Sequence, residues 1–139
     1  MALALVVTLE KELPEAAAAY AKGKSMGKAL ARESDRLASA ARRKNVEPLT
    51  AMLSESQAAL RAQLEADGFD PSKMRLPPEQ WFEAGHGLKT VRALADYVNA
   101  NLNDFKQPNP ILRDLKAAEA MLAAAEAAGV KFHFSNADL

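Results

Sequence analysis

The chain has two histidines and no cysteine, so thiolate nucleophiles, disulfides and Cys-based zinc sites are excluded and imidazole, carboxylate and hydroxyl remain. His86 stands between Gly85 and Gly87. It follows Trp81-Phe82-Glu83 and precedes the best apolar stripe of the chain. At a helix start the backbone N–H groups are unpaired and the dipole favours an anion. An aromatic wall, a titratable imidazole and such a terminus make Trp81, Glu83, His86 and Arg92 the candidate ligand-binding residues. The plainer reading is favoured: with five Phe, two Tyr and one Trp in all, the core needs Trp81 and Phe82, and His86 is a capping or turn residue. His133 falls on the outer face of the expected last strand.

Other chemical motifs are incomplete. Gly23-Lys24-Ser25 ends like a phosphate-binding loop, but the required upstream glycine is Ala18 and the preceding residues favour helix. No Gly-x-Ser-x-Gly elbow occurs. Asp67 and Asp70 flank a Gly-Phe turn and suit Asx turn chemistry, not a calcium loop. No catalytic residue, metal ligand or cofactor is assigned.

Eighteen basic and eighteen acidic residues cancel, which argues against a polycation coating nucleic acid. The charge is unevenly spread, however. Eight basic residues (Lys22, Lys24, Lys28, Arg32, Arg36, Arg42, Arg43, Lys44) and two acidic ones (Glu33, Asp35) give 22–44 a charge of +6 and the rest −6. On a helical wheel Lys24, Lys28, Arg32, Arg36 and Arg43 fall within ~120°, opposite Met26, Leu30 and Leu37. This ridge is the candidate anion- or partner-binding surface. Its plainer reading is a solvated face, and nucleic acid is disfavoured because neither stacking aromatics nor base-reading side chains accompany it.

The elements that must position these residues follow from periodicity. Leu3, Leu5, Val7 and Leu9 alternate as a strand over 3–9, and Val130, Phe132 and Phe134 as another over 130–135. Helices are expected near 25–44, 54–67, 87–102 and 110–128. Ser54 is the expected N-cap of the second and Gly68 its terminator. Leu88, Val91, Ala95, Val98 and Leu102 stripe the third. Asn109-Pro110 opens the fourth, Asp114 favours its dipole, and Gly129 closes it. The 15–21 stretch is short and alanine-rich, followed by Gly23. The expected fold is α+β and mainly helical: one domain over 1–139, about four helices packed with short N- and C-terminal strands that lie together or pair across a dimer.

Glu12-Leu13-Pro14, Gly27-Lys28-Ala29-Leu30, Pro48-Leu49, Trp81-Phe82, Gly87-Leu88-Lys89-Thr90-Val91-Arg92-Ala93-Leu94 and Gly129-Val130-Lys131-Phe132-His133 resemble an uncharacterised family of short bacterial proteins. The likeness spans most of the chain, with 15–26 irregular beside the family pattern. It implies a bacterial, single-domain, mostly helical protein and brings no activity, cofactor or catalytic residue. The opening apolar run lacks the basic start of a secretory signal, and no window approaches a bilayer span, so the expected location is cytoplasmic, without membrane association. The residues favour a non-enzymatic protein–protein interaction module (adaptor, inhibitor or immunity-type), with an unknown protein partner and a homodimer as one option. The alternative is a small-ligand binder or enzyme near Trp81 and His86. A weaker one is nucleic-acid binding through the basic helix.

Overall fold

The computed structural model describes residues 3–11, 13 and 27–138. Alternating apolar residues begin a strand at each end, but the second starts at Phe132 instead of 130 and runs on through polar residues to Asp138, held there by pairing with the first. β1 (Leu3–Leu9) and β2 (Phe132–Asp138) pair antiparallel within the chain, Leu9 opposite Phe132 and Val7 opposite Phe134. Between them the described residues form α1 (Lys28–Arg32), α2 (Ser34–Arg43), α3 (Gln57–Ala66), α4 (Ala84–Ala100) and α5 (Pro108–Ala128). The architecture is α+β and mainly helical. None of these helices is long and apolar enough to cross a membrane.

The core lies between one face of the sheet and the helices. Ile111, Leu115, Ala118, Leu122 and Ala125 are fully buried along α5, as their spacing predicts. They face Leu88, Val91, Leu94 and Val98 of α4, and Phe132 and Phe134 of β2 close the cluster. Leu102 leaves the expected stripe: it lies beyond α4 in a 3-10 turn (Leu102–Asp104) and is exposed. Gly87 is what lets α4 sit on the sheet. A Cβ there would lie 2.3 Å from the Phe132 ring, which explains a glycine inside a helix at a cost of ~1 kcal/mol against alanine.

Four sequence expectations are corrected. The single helix over 25–44 is two, broken at Glu33 (φ −103, ψ 20). α1 packs on β1 and α5, whereas α2 packs on α4, and one straight rod cannot follow both. The cap of α3 is Ser56, whose Oγ accepts the Ala59 N–H at 3.0 Å; Ser54 instead accepts the Gln80 N–H at 2.8 Å. α4 starts at Ala84, so Gly85-His86-Gly87 lies inside its first turn, where the His86 and Gly87 N–H groups already donate to the Glu83 carbonyl. α5 starts with Pro108 instead of Pro110; the ring suits the first turn, where no N–H is needed. Both glycine terminators hold. Gly68 (φ 88) and Gly129 (φ 70) are left-handed, and the following residues, Phe69 and Val130, reach back to the Leu64 and Ala125 carbonyls.

Asp114 does something its sequence position does not suggest. It is 1 % exposed and its Oδ2 accepts the Ala29 N–H of α1 at 3.1 Å. A side chain from α5 thus caps α1, whose own preceding residue is the left-handed Gly27 without a side chain to do so.

Candidate functional site: a basic groove along α2

α2 is strongly amphipathic. Leu37, Ala40 and Ala41 are buried, and Arg36, Ser39 and Arg43 recur at helical spacing on the other side. The 3-10 turn after α4 and the start of α5 rise beside that polar face and make a groove of two adjoining concavities. The first, about 430 Å³, is lined by Arg36, Ser39, Arg43, Tyr97, Asp104 and Phe105. The second, about 570 Å³, is lined by Arg32, Glu33, Arg36, Lys106 and Gln107. Arg36 belongs to both.

Two of the three arginines are held in place. Arg36 Nη1 donates to the Asp104 carbonyl at 2.6 Å, and its Nε lies 3.6 Å from Glu33 Oε2. Arg43 Nη1 donates to the Tyr97 hydroxyl at 2.8 Å. The Tyr97 ring meets buried Phe105 edge-on, centroids 6.4 Å apart. Arg32 and Lys106 have no ion-pair partner among the described residues. Four cationic and two acidic side chains line the groove. A guanidinium that is anchored through one edge keeps further N–H donors in a fixed fork, which suits carboxylate or phosphate oxygens.

The groove gathers three of the five ridge residues, Arg32, Arg36 and Arg43. Lys28 is half-buried on α1 and lines neither concavity. Lys24 lies outside the described residues, as do the 15–21 stretch and Gly23-Lys24-Ser25. Tyr97, Phe105, Lys106 and Gln107 were not legible as site residues. They are ~50 residues or more from the ridge; the packing of α4 on α2 brings Tyr97 there, and the return of the chain after α4 brings Phe105, Lys106 and Gln107. The one available signal was a Tyr on the polar flank of the α4 stripe.

The residues of the other candidate set each have a separate partner. Trp81 lies against the His133 ring, centroids 4.6 Å apart. Glu83 is exposed, with Lys131 Nζ at 3.8 Å. The His86 side chain is 43 % exposed and its Nε2 lies 3.1 Å from Glu47 Oε2. Arg92 is exposed, its Nε 3.4 Å from Glu119 Oε1. These four residues face four different partners and line neither concavity of the groove.

His133 is not on an outer face. It is 1 % exposed, because the second face of the sheet is also covered, by Trp81 and the 79–82 segment. Its Nε2 lies 2.6 Å from Glu79 Oε2 and its Nδ1 3.1 Å from both Ser135 Oγ and the Phe134 carbonyl. Glu79, His133 and Ser135 therefore stand in the order of an acid–base–nucleophile relay. The surroundings do not equip it as one. Ser135 Oγ is also 3.0 Å from the Thr8 hydroxyl. The nearby Ser54, Gln80 and Asn136 N–H groups donate to the Phe134 carbonyl, Ser54 Oγ and Glu55 Oε1, so none is left to hold an oxyanion. The relay ties β2 to the loops over it. Replacing Glu79 by alanine leaves a buried imidazole nitrogen unpaired and is expected to lower stability by ~1–2 kcal/mol in denaturant unfolding. Among the described residues no three His, Asp or Glu side chains gather to hold a metal ion.

Neither a family model, nor a curated protein, nor a solved structure matches this chain.

Proposed function

We propose that this protein is a non-enzymatic interaction module that docks an acidic protein segment in the groove along α2. The observation that carries the reading is Arg36: anchored on the Asp104 carbonyl, it faces both concavities, with Arg32 and Lys106 on one side and Arg43 on the other. In a chain with no net charge this is a local positive field around a shaped recess, which favours both encounter and register with a negative partner. Tyr97 adds an aromatic surface of the kind enriched at interfaces.

The test is the triple variant Arg32→Glu, Arg36→Glu, Arg43→Glu. These exposed side chains contribute little to the core, so its far-ultraviolet circular dichroism should match that of the parent. Partners recovered from a cell lysate by the parent protein should carry dense Asp, Glu or phosphorylated segments and bind the variant ~10-fold or more weakly. A partner that binds both proteins alike overturns the reading.

A further inference from the structure

We infer that the docked segment is recognised through a phosphorylated side chain seated between Arg32, Arg36 and Lys106, an inference that rests on the docking role proposed for the groove. The charge in each concavity separates the possibilities. The second is lined by three cations and one carboxylate, and adds the Gln107 amide. Its lining carries a formal +2. Glu33 is partly spent on Arg36, 3.6 Å away, and its side chain is only 12 % exposed. A carboxylate would neutralise half of that charge. A phosphate monoester brings −1.5 to −2 near neutral pH and three terminal oxygens, one for each of three cationic arms. Arginine adds a planar fork able to bond two of those oxygens at once.

The first concavity differs. Arg36 and Arg43 are offset there by Asp104, and Tyr97 and Phe105 supply aromatic surface. A second dianion fits poorly beside Asp104, whereas an uncharged or aromatic neighbour of the phosphorylated residue fits well. The groove therefore has a direction: phosphate toward the start of α5, an apolar or aromatic residue toward Tyr97. A nucleic-acid strand matches this less well, since each phosphodiester carries one charge and repeats it along the chain, calling for an even cationic track.

The experiment uses the full chain and three oriented peptide libraries that differ only at one fixed position: phosphoserine, glutamate or serine. Fluorescence anisotropy should show the phosphoserine library binding ~10-fold more tightly than the glutamate one, a preference that fades below about pH 6 as the phosphate gains its second proton. Arg32→Gln or Lys106→Gln should erase the preference. Arg43→Gln, which touches only the first concavity, should weaken both libraries equally. Inorganic phosphate alone should shift the amide resonances of 32–36 and 104–107 in nuclear magnetic resonance spectra. Equal binding of the phosphoserine and glutamate libraries overturns the phosphate inference and leaves the docking role standing. Binding of neither library, with no phosphate shift, overturns both. A mixed-sequence single-stranded oligonucleotide that binds more tightly than the phosphoserine library overturns the inference in favour of nucleic acid.

Discussion

Gly27→Ala is expected to cost about 3 kcal/mol or more of folding stability, visible as a fall of ~10 °C in thermal midpoint for a domain of this size. Two penalties add. Gly27 has φ +84, a conformation that an L side chain adopts at a cost of ~1–2 kcal/mol. Its Cβ would also lie 2.2 Å from the Leu5 carbonyl oxygen and 2.9 Å from the Leu5 carbonyl carbon. That neighbour is strand backbone, fixed by pairing with β2 and by the Leu5 N–H donating to the Gly27 carbonyl at 2.9 Å, so relief of the clash breaks a hydrogen bond worth ~1 kcal/mol. Gly68 is the control. It has φ +88, and a Cβ added there would meet nothing within 4 Å, so Gly68→Ala should lose only ~1–2 kcal/mol. If calorimetry gives the two variants equal losses, close approach to β1 is not what Gly27 provides.

Gly27 also marks where sequence reading ends. The first strand, the Phe132–Phe134 alternation of the second, the α5 stripe and both glycine terminators followed from local rules, because periodicities of 2 and 3.6 residues and a left-handed terminator are properties of a few neighbouring residues. The larger departures come from tertiary partners. A helix pattern running through 25–44 contains no proline or interior glycine after Gly27 to announce the break at Glu33; the break exists because α1 and α2 answer to different neighbours. Ser54 looked like a cap and is drawn off by the Gln80 backbone. His133 alternates with Phe132 and Phe134 as a solvent-facing residue would, yet the sheet is covered on both faces. Alternation shows that a strand has two faces; it does not show that either is wet.

The groove divides in the same way. Arg32, Arg36 and Arg43 were legible as a ridge, since charge sign and helical spacing are written in the residues. That the ridge borders a recess was not, because Tyr97 comes from α4, and Phe105 and Lys106 from the connection after it, and their places beside α2 are set by the packing of α4 on α2 and α5. The absence of aromatics near the ridge, read along the chain, spoke against stacking. In space Tyr97 touches Arg43. A surface that looked chemically idle in one dimension thus gains a wall and an end in three.

Asp114 gives the second large effect, and its sign is informative. Asp114→Ala should cost ~2–3 kcal/mol, since it strips the Ala29 N–H of its acceptor inside the core and leaves a void in α5. Asp114→Asn keeps the shape and an acceptor, and isolates the charge. Burial pushes the carboxyl above its ordinary value of 3.8, against the opposing pull of the Gly27 N–H, the Ala29 N–H, the Arg113 charge and the Leu30 N–H. The folded protein therefore holds a proton that the unfolded chain releases at lower pH. Between those two values the native state binds more protons, so this group's contribution to stability is greatest in acid, falls as pH rises through the window above 3.8, and is constant beyond the folded value. Most paired carboxylates give the opposite slope, so the difference between parent and Asp114→Asn is the quantity to measure, by urea unfolding from about pH 3 to pH 8. The parent should lose ground to the asparagine variant as pH rises. A parent that instead gains ground would mean that the N–H groups of α1 outweigh burial, and that the charged carboxylate, rather than its shape and acceptor, is what holds α1 in place beside β1.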